Sequence, residues 1–96
     1  MRNQQKIDAN KLLYLKADSN YTELHFLDGR SILSGFTLKH HELKEELADF
    51  IRVNRAYLLN PKYIRKFTKR GDSIDIIMTD GTETKMSKRR MQSLLF

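Results

Sequence analysis

The chain has 96 residues, a net charge of +6 and no cysteine, enough for one small domain with a modest core. Disulfides and thiolate zinc sites are excluded, and the cysteine-free composition fits a reducing cytoplasm. No apolar run approaches the ~20 residues that span a bilayer, the polar start MRNQQKIDANK lacks the apolar segment of a secretory signal, and no membrane contact is expected.

Residues 1–10 are polar and read as a lead-in or the remains of a linker, which leaves residues 11–96 as the domain. Leu12 to Ala17 reads as a buried strand. After the turn cluster Asp18-Ser19-Asn20, Tyr21 to Leu27 alternates, with Thr22, Leu24 and Phe26 on one face. Asp28-Gly29 predicts a type I′ turn with positive φ at both central positions, and Arg30 to Ser34 returns as the partner strand. Thr37 is a candidate N-cap for a helix over Leu38 to Asp49, whose apolar stripe is Leu38, Leu43, Leu47 and Phe50. Ile51 to Val53 is a short strand, and Pro61 suits the first turn of a short helix. Tyr63 to Thr68 and Ser73 to Thr79 form a hairpin around Lys69-Arg70-Gly71-Asp72, with Ile74, Ile76 and Met78 on one face. Asp80-Gly81 marks another tight turn before a strand at Thr82 to Met86, and Ser87 is the candidate N-cap of a terminal helix. The expected fold is mainly β with two short helices.

Charge is unevenly placed. Residues 1–51 carry seven bases and eight acids, while residues 52–96 carry eleven bases and four acids. From Arg52 to Arg70 there are seven bases and no acid, interleaved with Tyr57, Tyr63 and Phe67. Solvated surface usually mixes its signs, so such a segment points to a polyanion. Tyr57 and Phe67 have apolar neighbours in strand-like positions, which favours core packing over stacking on bases. A second basic cluster runs from Lys85 to Arg90 into the start of the terminal helix. The helix dipole disfavours cations there, and a bound phosphate would relieve the conflict through free N–H groups and the Ser87 hydroxyl.

Nothing comparable supports catalysis. His40 and His41 are sequence neighbours, about 100° apart on a helix, and cannot chelate one ion together. There is no HExxH, no clustered carboxylate pair and no glycine-rich phosphate loop. No enzymatic activity and no cofactor are expected.

Four segments in order, ADSNY (17–21), Thr37-Leu38, FIRVNRAYLLN (50–60) and SKRR (87–90), resemble the LytTR-type DNA-binding domain, an output module of bacterial two-component response regulators. The third is similar to that family's F-x-R-x-H-R-S-Y-x-x-N core, with Asn54 in place of the usual His and Ala56 in place of the usual Ser. The resemblance implies an elongated arrangement of small β-sheets rather than a helix-turn-helix. It also implies transcriptional regulation through duplex DNA, with loops entering successive major grooves and bending the duplex. By the same resemblance Tyr21, Arg55 and Arg89 are base-contact candidates. Arg52, Asn54, Lys62, Lys66, Ser87, Lys88 and Arg90 are phosphate-contact candidates. Paired direct repeats in the DNA, an upstream receiver domain and RNA polymerase are the implied partners. A small basic RNA-binding or ribosome-associated protein is the alternative, and a protein-interaction module docking an acidic partner is a third.

Overall fold

The structure, a computed structural model, describes residues 7–95, so the first six residues of the polar lead-in lie outside it. Within that lead-in, Ala9–Lys11 forms a 3-10 turn capped by the Asp8 side chain, which accepts from the Asn10 amide at 3.0 Å. Eight strands follow: β1 (Leu12–Asp18), β2 (Tyr21–Phe26), β3 (Ser31–Ser34), β4 (Ile51–Arg52), β5 (Tyr57–Leu59), β6 (Ile64–Arg70), β7 (Ser73–Met78) and β8 (Glu83–Ser87). The two helices are α1 (Leu38–Glu42) and α2 (Lys88–Leu95). All strand pairs are antiparallel, in a five-stranded sheet of order β3-β2-β1-β5-β4 and a three-stranded sheet β6-β7-β8. The molecule is elongated, 51 × 24 × 24 Å.

Two small cores explain that shape. One face of the five-stranded sheet places Leu12, Leu15, Leu24, Phe26 and Leu58 against Leu38 and Leu47 from the segment after β3. Its other face places Tyr14, Val53 and Leu59 against Ile74, Ile76, Met78 and Met86 of the three-stranded sheet. Alternation along β2 and β7 sends Thr22, Leu24 and Phe26, and Ile74, Ile76 and Met78, inward, as their period-2 pattern requires. In β1 the register shifts between Leu12 and Tyr14. The irregularity lets Leu13 and Tyr14, consecutive residues, both join the core shared with the second sheet.

The expected helix over Leu38 to Asp49 is broken. α1 ends at Glu42, Lys44 turns to an extended backbone (φ −74°, ψ 139°), and Glu45–Leu47 makes a separate 3-10 turn. At ~100° per residue, nine residues of continuous helix would set Leu38 and Leu47 on opposite sides. The break returns both to the same core and leaves Leu43 exposed. The predicted type I′ turn is also replaced. Gly29 alone has positive φ (91°), and its amide donates to the Phe26 carbonyl at 3.1 Å. Asp28 accepts from the Arg30 amide at 3.0 Å. The second Asp-Gly turn repeats this arrangement, with Gly81 at φ 92°, its amide on the Met78 carbonyl, and Asp80 accepting from the Thr82 amide. In each, the aspartate bonds the backbone two residues on, and glycine takes the left-handed position. Phe67, expected in the core, lies 49% exposed on edge strand β6, whereas Tyr57 packs at its tyrosine neighbour Tyr14 (5.6 Å between ring centroids).

His41 is buried, with its Nε2 2.8 Å from the Ser34 hydroxyl. Burial, helped by the nearby charges of Lys44 and His40, pushes its pKa down to about 4. The unfolded chain binds this proton below its ordinary value near 6.5, and the folded protein does so only near 4. Stability therefore falls as pH drops through that window, by up to about 3 kcal/mol from this group. Thermal unfolding followed from pH 8 to pH 4 should show the loss, and His41→Gln should flatten the profile across the same range.

Candidate nucleic-acid interface

The acid-free segment from Arg52 begins as a strand and then leaves regular structure between β4 and β5. A loop of this kind has unpaired backbone groups that side chains must satisfy. Asn54 meets that need at both ends of its carboxamide. Its Oδ1 accepts from the amides of Ala56 (2.8 Å) and Tyr57 (3.0 Å), and its Nδ2 donates to the Thr84 hydroxyl and the Lys85 carbonyl, both at 2.8 Å. One side chain thus closes the loop and ties it to β8 of the other sheet.

Arg52 acts on the same loop. Its Nε donates to the Asn54 carbonyl (2.8 Å), one terminal nitrogen donates to the Arg55 carbonyl (2.9 Å), and the other meets Glu42 Oε1 at 2.6 Å. The Arg90 Nε in turn donates to the Arg52 carbonyl at 2.5 Å. Helix α1, the loop and the start of α2 are joined in one network. The candidate N-cap Ser87 sits at the end of β8 and caps α2, its hydroxyl accepting from the Arg90 amide at 3.1 Å.

These elements enclose a groove of about 530 Å³ lined by Lys39, Glu42, Arg52, Arg55, Lys85, Ser87 and Arg90, together with Val53 and Asn54. Five of the lining residues are cationic and one is acidic. A smaller hollow of about 340 Å³ adjoins it through Ser87 and Arg90 and is bordered by Arg89 and Ser93. Such a concentration of one sign in a concave surface focuses the field toward an anion.

Of the base-contact candidates, Arg55 is exposed in the groove and Arg89 is exposed on α2. Tyr21 is 51% exposed beside the β1–β2 turn, where Ser19 adopts φ 56°. The Ala17 amide donates to the Ala56 carbonyl at 2.8 Å, so the β1–β2 turn and the Arg55 loop leave the five-stranded sheet at the same end. The phosphate-contact candidates are spread more widely. Ser87 and Arg90 line the groove, and Lys88 begins α2 with its amide on the Asp72 carbonyl. Lys66 is exposed on β6, opposite Ile77, on the face of the three-stranded sheet that also carries Lys85. Lys62 lies elsewhere, its ammonium 3.4 Å from Asn10 Oδ1 beside Asn60 and Pro61. Arg52 and Asn54 have their polar groups engaged within the protein. Lys39 and Lys85 also line the groove but were not among the contact candidates, although Lys85 opens the second basic cluster. The signal for Lys39 was its three-residue spacing from Glu42 on α1, and for Lys85 it was that basic cluster and its place one step outside a buried Met86.

The fold and the groove define a small two-sheet domain with a concave cationic surface. A family model for the LytTr DNA-binding domain matches residues 3–95, and the chain belongs to that family. A solved LytTr DNA-binding domain from Bacillus cereus superposes with a TM-score of 0.76 at 19% identity, over 92% of this chain and 81% of that one. The heme-containing CO-sensing transcriptional regulator RcoM 1 of Paraburkholderia xenovorans is 24% identical over 91% of the chain. The CO-responsive transcriptional regulator RcoM of Rhodospirillum rubrum is 29% identical over 78% of it. The chain spans about a third of the length of these curated relatives, 32% and 31% respectively.

Asn54→Ala removes four hydrogen bonds at once and leaves the Ala56 and Tyr57 amides without their acceptor. It should lower stability by about 2–3 kcal/mol in denaturant unfolding, whereas substitution of exposed Arg55 by Ala should change it by less than about 0.5 kcal/mol.

Proposed function

We propose that the domain binds duplex DNA sequence-specifically to regulate transcription, and that the cationic groove with the neighbouring α2 hollow is the DNA surface. The observation that carries this reading is the placement of free cations on a frame that is otherwise hydrogen-bonded. Arg55 and Arg89 are exposed, while the loop and helix bearing them are fixed to both sheets by Asn54 and by the Ser87 cap. A guanidinium held on a rigid support is suited to bidentate bonding with guanine O6 and N7. Tyr21, at the same end as the Arg55 loop, supplies a third contact of lower specificity.

Lys39, Lys85, Ser87, Lys88 and Arg90 then serve as phosphate contacts around these readers, with Lys66 at greater reach. Their part is to position the duplex rather than to specify its sequence. Readers carried on a turn, a loop and a helix start rather than on one recognition helix favour insertion into successive major grooves and some bending of the DNA, at an elastic cost of a few kcal/mol. Recognition of paired direct repeats follows if two copies act together. In a longer protein the domain would serve as the output of a receiver or sensor, acting on RNA polymerase. Transcriptional regulation in the RcoM relatives supports this assignment.

Selection from random duplexes at near-physiological salt tests the reading, with enrichment of a motif as the expected result. Binding without enrichment would reduce the site to a general polyanion surface and make structured RNA the next ligand. On the enriched site Arg89→Ala should lose about 1–3 kcal/mol, more than it loses on a shuffled duplex. Lys66→Ala should weaken both duplexes alike and flatten the salt dependence by about one in log–log slope. Equal losses for Arg89→Ala on the two duplexes would make it a phosphate contact.

A further inference from the structure

Among the residues that line the groove, Glu42 alone is acidic. Its charge opposes DNA, so electrostatics alone gives it no place there. Its geometry gives it one. Glu42 projects from the last residue of α1 and pairs with Arg52 at 2.6 Å, with both side chains partly shielded from water (36% and 20% exposed). The other two nitrogens of that guanidinium hold the carbonyls of Asn54 and Arg55. The guanidinium is planar, so fixing one edge on a carboxylate orients the remaining donors.

We propose that Glu42 is a positioning residue for sequence recognition, resting on the assignment of the groove to DNA. It keeps Arg52 turned inward onto the Arg55 loop and away from phosphates. Without Glu42, Arg52 is a partly desolvated cation beside Lys39, Arg55, Lys85 and Arg90. Repulsion from these, and attraction to an arriving phosphate, then draw it outward. The loop loses two carbonyl partners, and Arg55 loses the support that aims it. The wrong-sign residue therefore strengthens specific binding and weakens indiscriminate binding.

Glu42→Gln and Glu42→Ala separate this role from simple charge removal, because both delete one negative charge and only Ala deletes the acceptor. Affinities of the intact chain are measured for the selected duplex and for a shuffled duplex of equal length. On the selected site the expected order is wild type, then Gln, then Ala, with Ala weaker by about tenfold, the scale of one lost coupled interaction. On the shuffled duplex both variants should bind as tightly as wild type or tighter, with the salt slope of Ala steeper by about one as Arg52 becomes a phosphate contact. Hydrogen exchange at the Ala56 and Tyr57 amides, held by Asn54 Oδ1, should quicken in Ala and report loosening without DNA. The role of Glu42 is overturned if both variants tighten both duplexes equally, or if the wild-type preference and amide protection survive in Ala. Should Ala fail to fold, a Gln variant with wild-type preference or better would overturn it as well. Equal affinity of the wild type for the two duplexes would instead overturn the reading of the groove as a sequence-specific surface, on which the role of Glu42 rests.

Discussion

The Asn54 carboxamide is the interaction on which the rest of the cationic groove depends. A loop between two short strands has few backbone partners of its own, and this one must also span the junction of two separate sheets. Two acceptor bonds on one side and two donor bonds on the other solve both problems with one residue. An amide is suited to this because it presents donors and acceptors at opposite corners. A carboxylate at the same position would lack donors for Thr84 and the Lys85 carbonyl. A cation would lack an acceptor for the Ala56 and Tyr57 amides.

The layering of the cores places that junction. The five-stranded sheet is covered on both faces, by α1 and the following 3-10 turn on one and by the three-stranded sheet on the other. A chain of this size cannot build one large core, and two small ones in series produce an elongated body. The β1–β2 turn, the Arg55 loop and the β8–α2 junction meet where the two sheets join, linked by the Ala17–Ala56 backbone bond and by the Asn54 and Arg90 bonds.

Strands, turns and caps were legible from sequence because each depends on local chemistry. Thr37 and Ser87 cap their helices, Pro61 opens a 3-10 turn, and the alternation along β2 and β7 identifies their buried faces. The helix after Thr37 was overextended because polar residues with scattered leucines satisfy a helical pattern loosely. Only the tertiary requirement that Leu38 and Leu47 share a core shows the break. The Asp-Gly dipeptide marks a turn without specifying its type, since glycine serves a single left-handed position as readily as two. Phe67 could not be placed because an edge strand has a partner on one side only, a property of sheet order rather than of its neighbours in sequence. At the candidate interface, Tyr21, Arg55 and Arg89 were contact candidates by charge and resemblance, and all three are exposed. The inward roles of Arg52 and Asn54 were not legible, because a polar residue in a basic run reads as surface until its partners are known, ten residues away at Glu42 for Arg52 and thirty and thirty-one away at Thr84 and Lys85 for Asn54.

The resulting surface divides its arginines by what their donors already do. Arg52 has all three guanidinium nitrogens engaged inside the protein, Arg90 has its Nε on the Arg52 carbonyl, and Arg55 is exposed in the groove. This gradation has a physical use. A mobile cation can meet almost any phosphate, and a surface made only of such cations would bind every duplex alike. Fixing one arginine entirely, anchoring a second by one edge, and leaving a third free on the loop they hold limits where that free group can point. Under the proposed function, discrimination between bases would depend on that limit, because a bidentate contact misaligned by an ångström is no longer bidentate. A single acid in the groove lining, paired to the most shielded of these arginines, fits this arrangement, since it confines the one cation whose release would add attraction without selectivity.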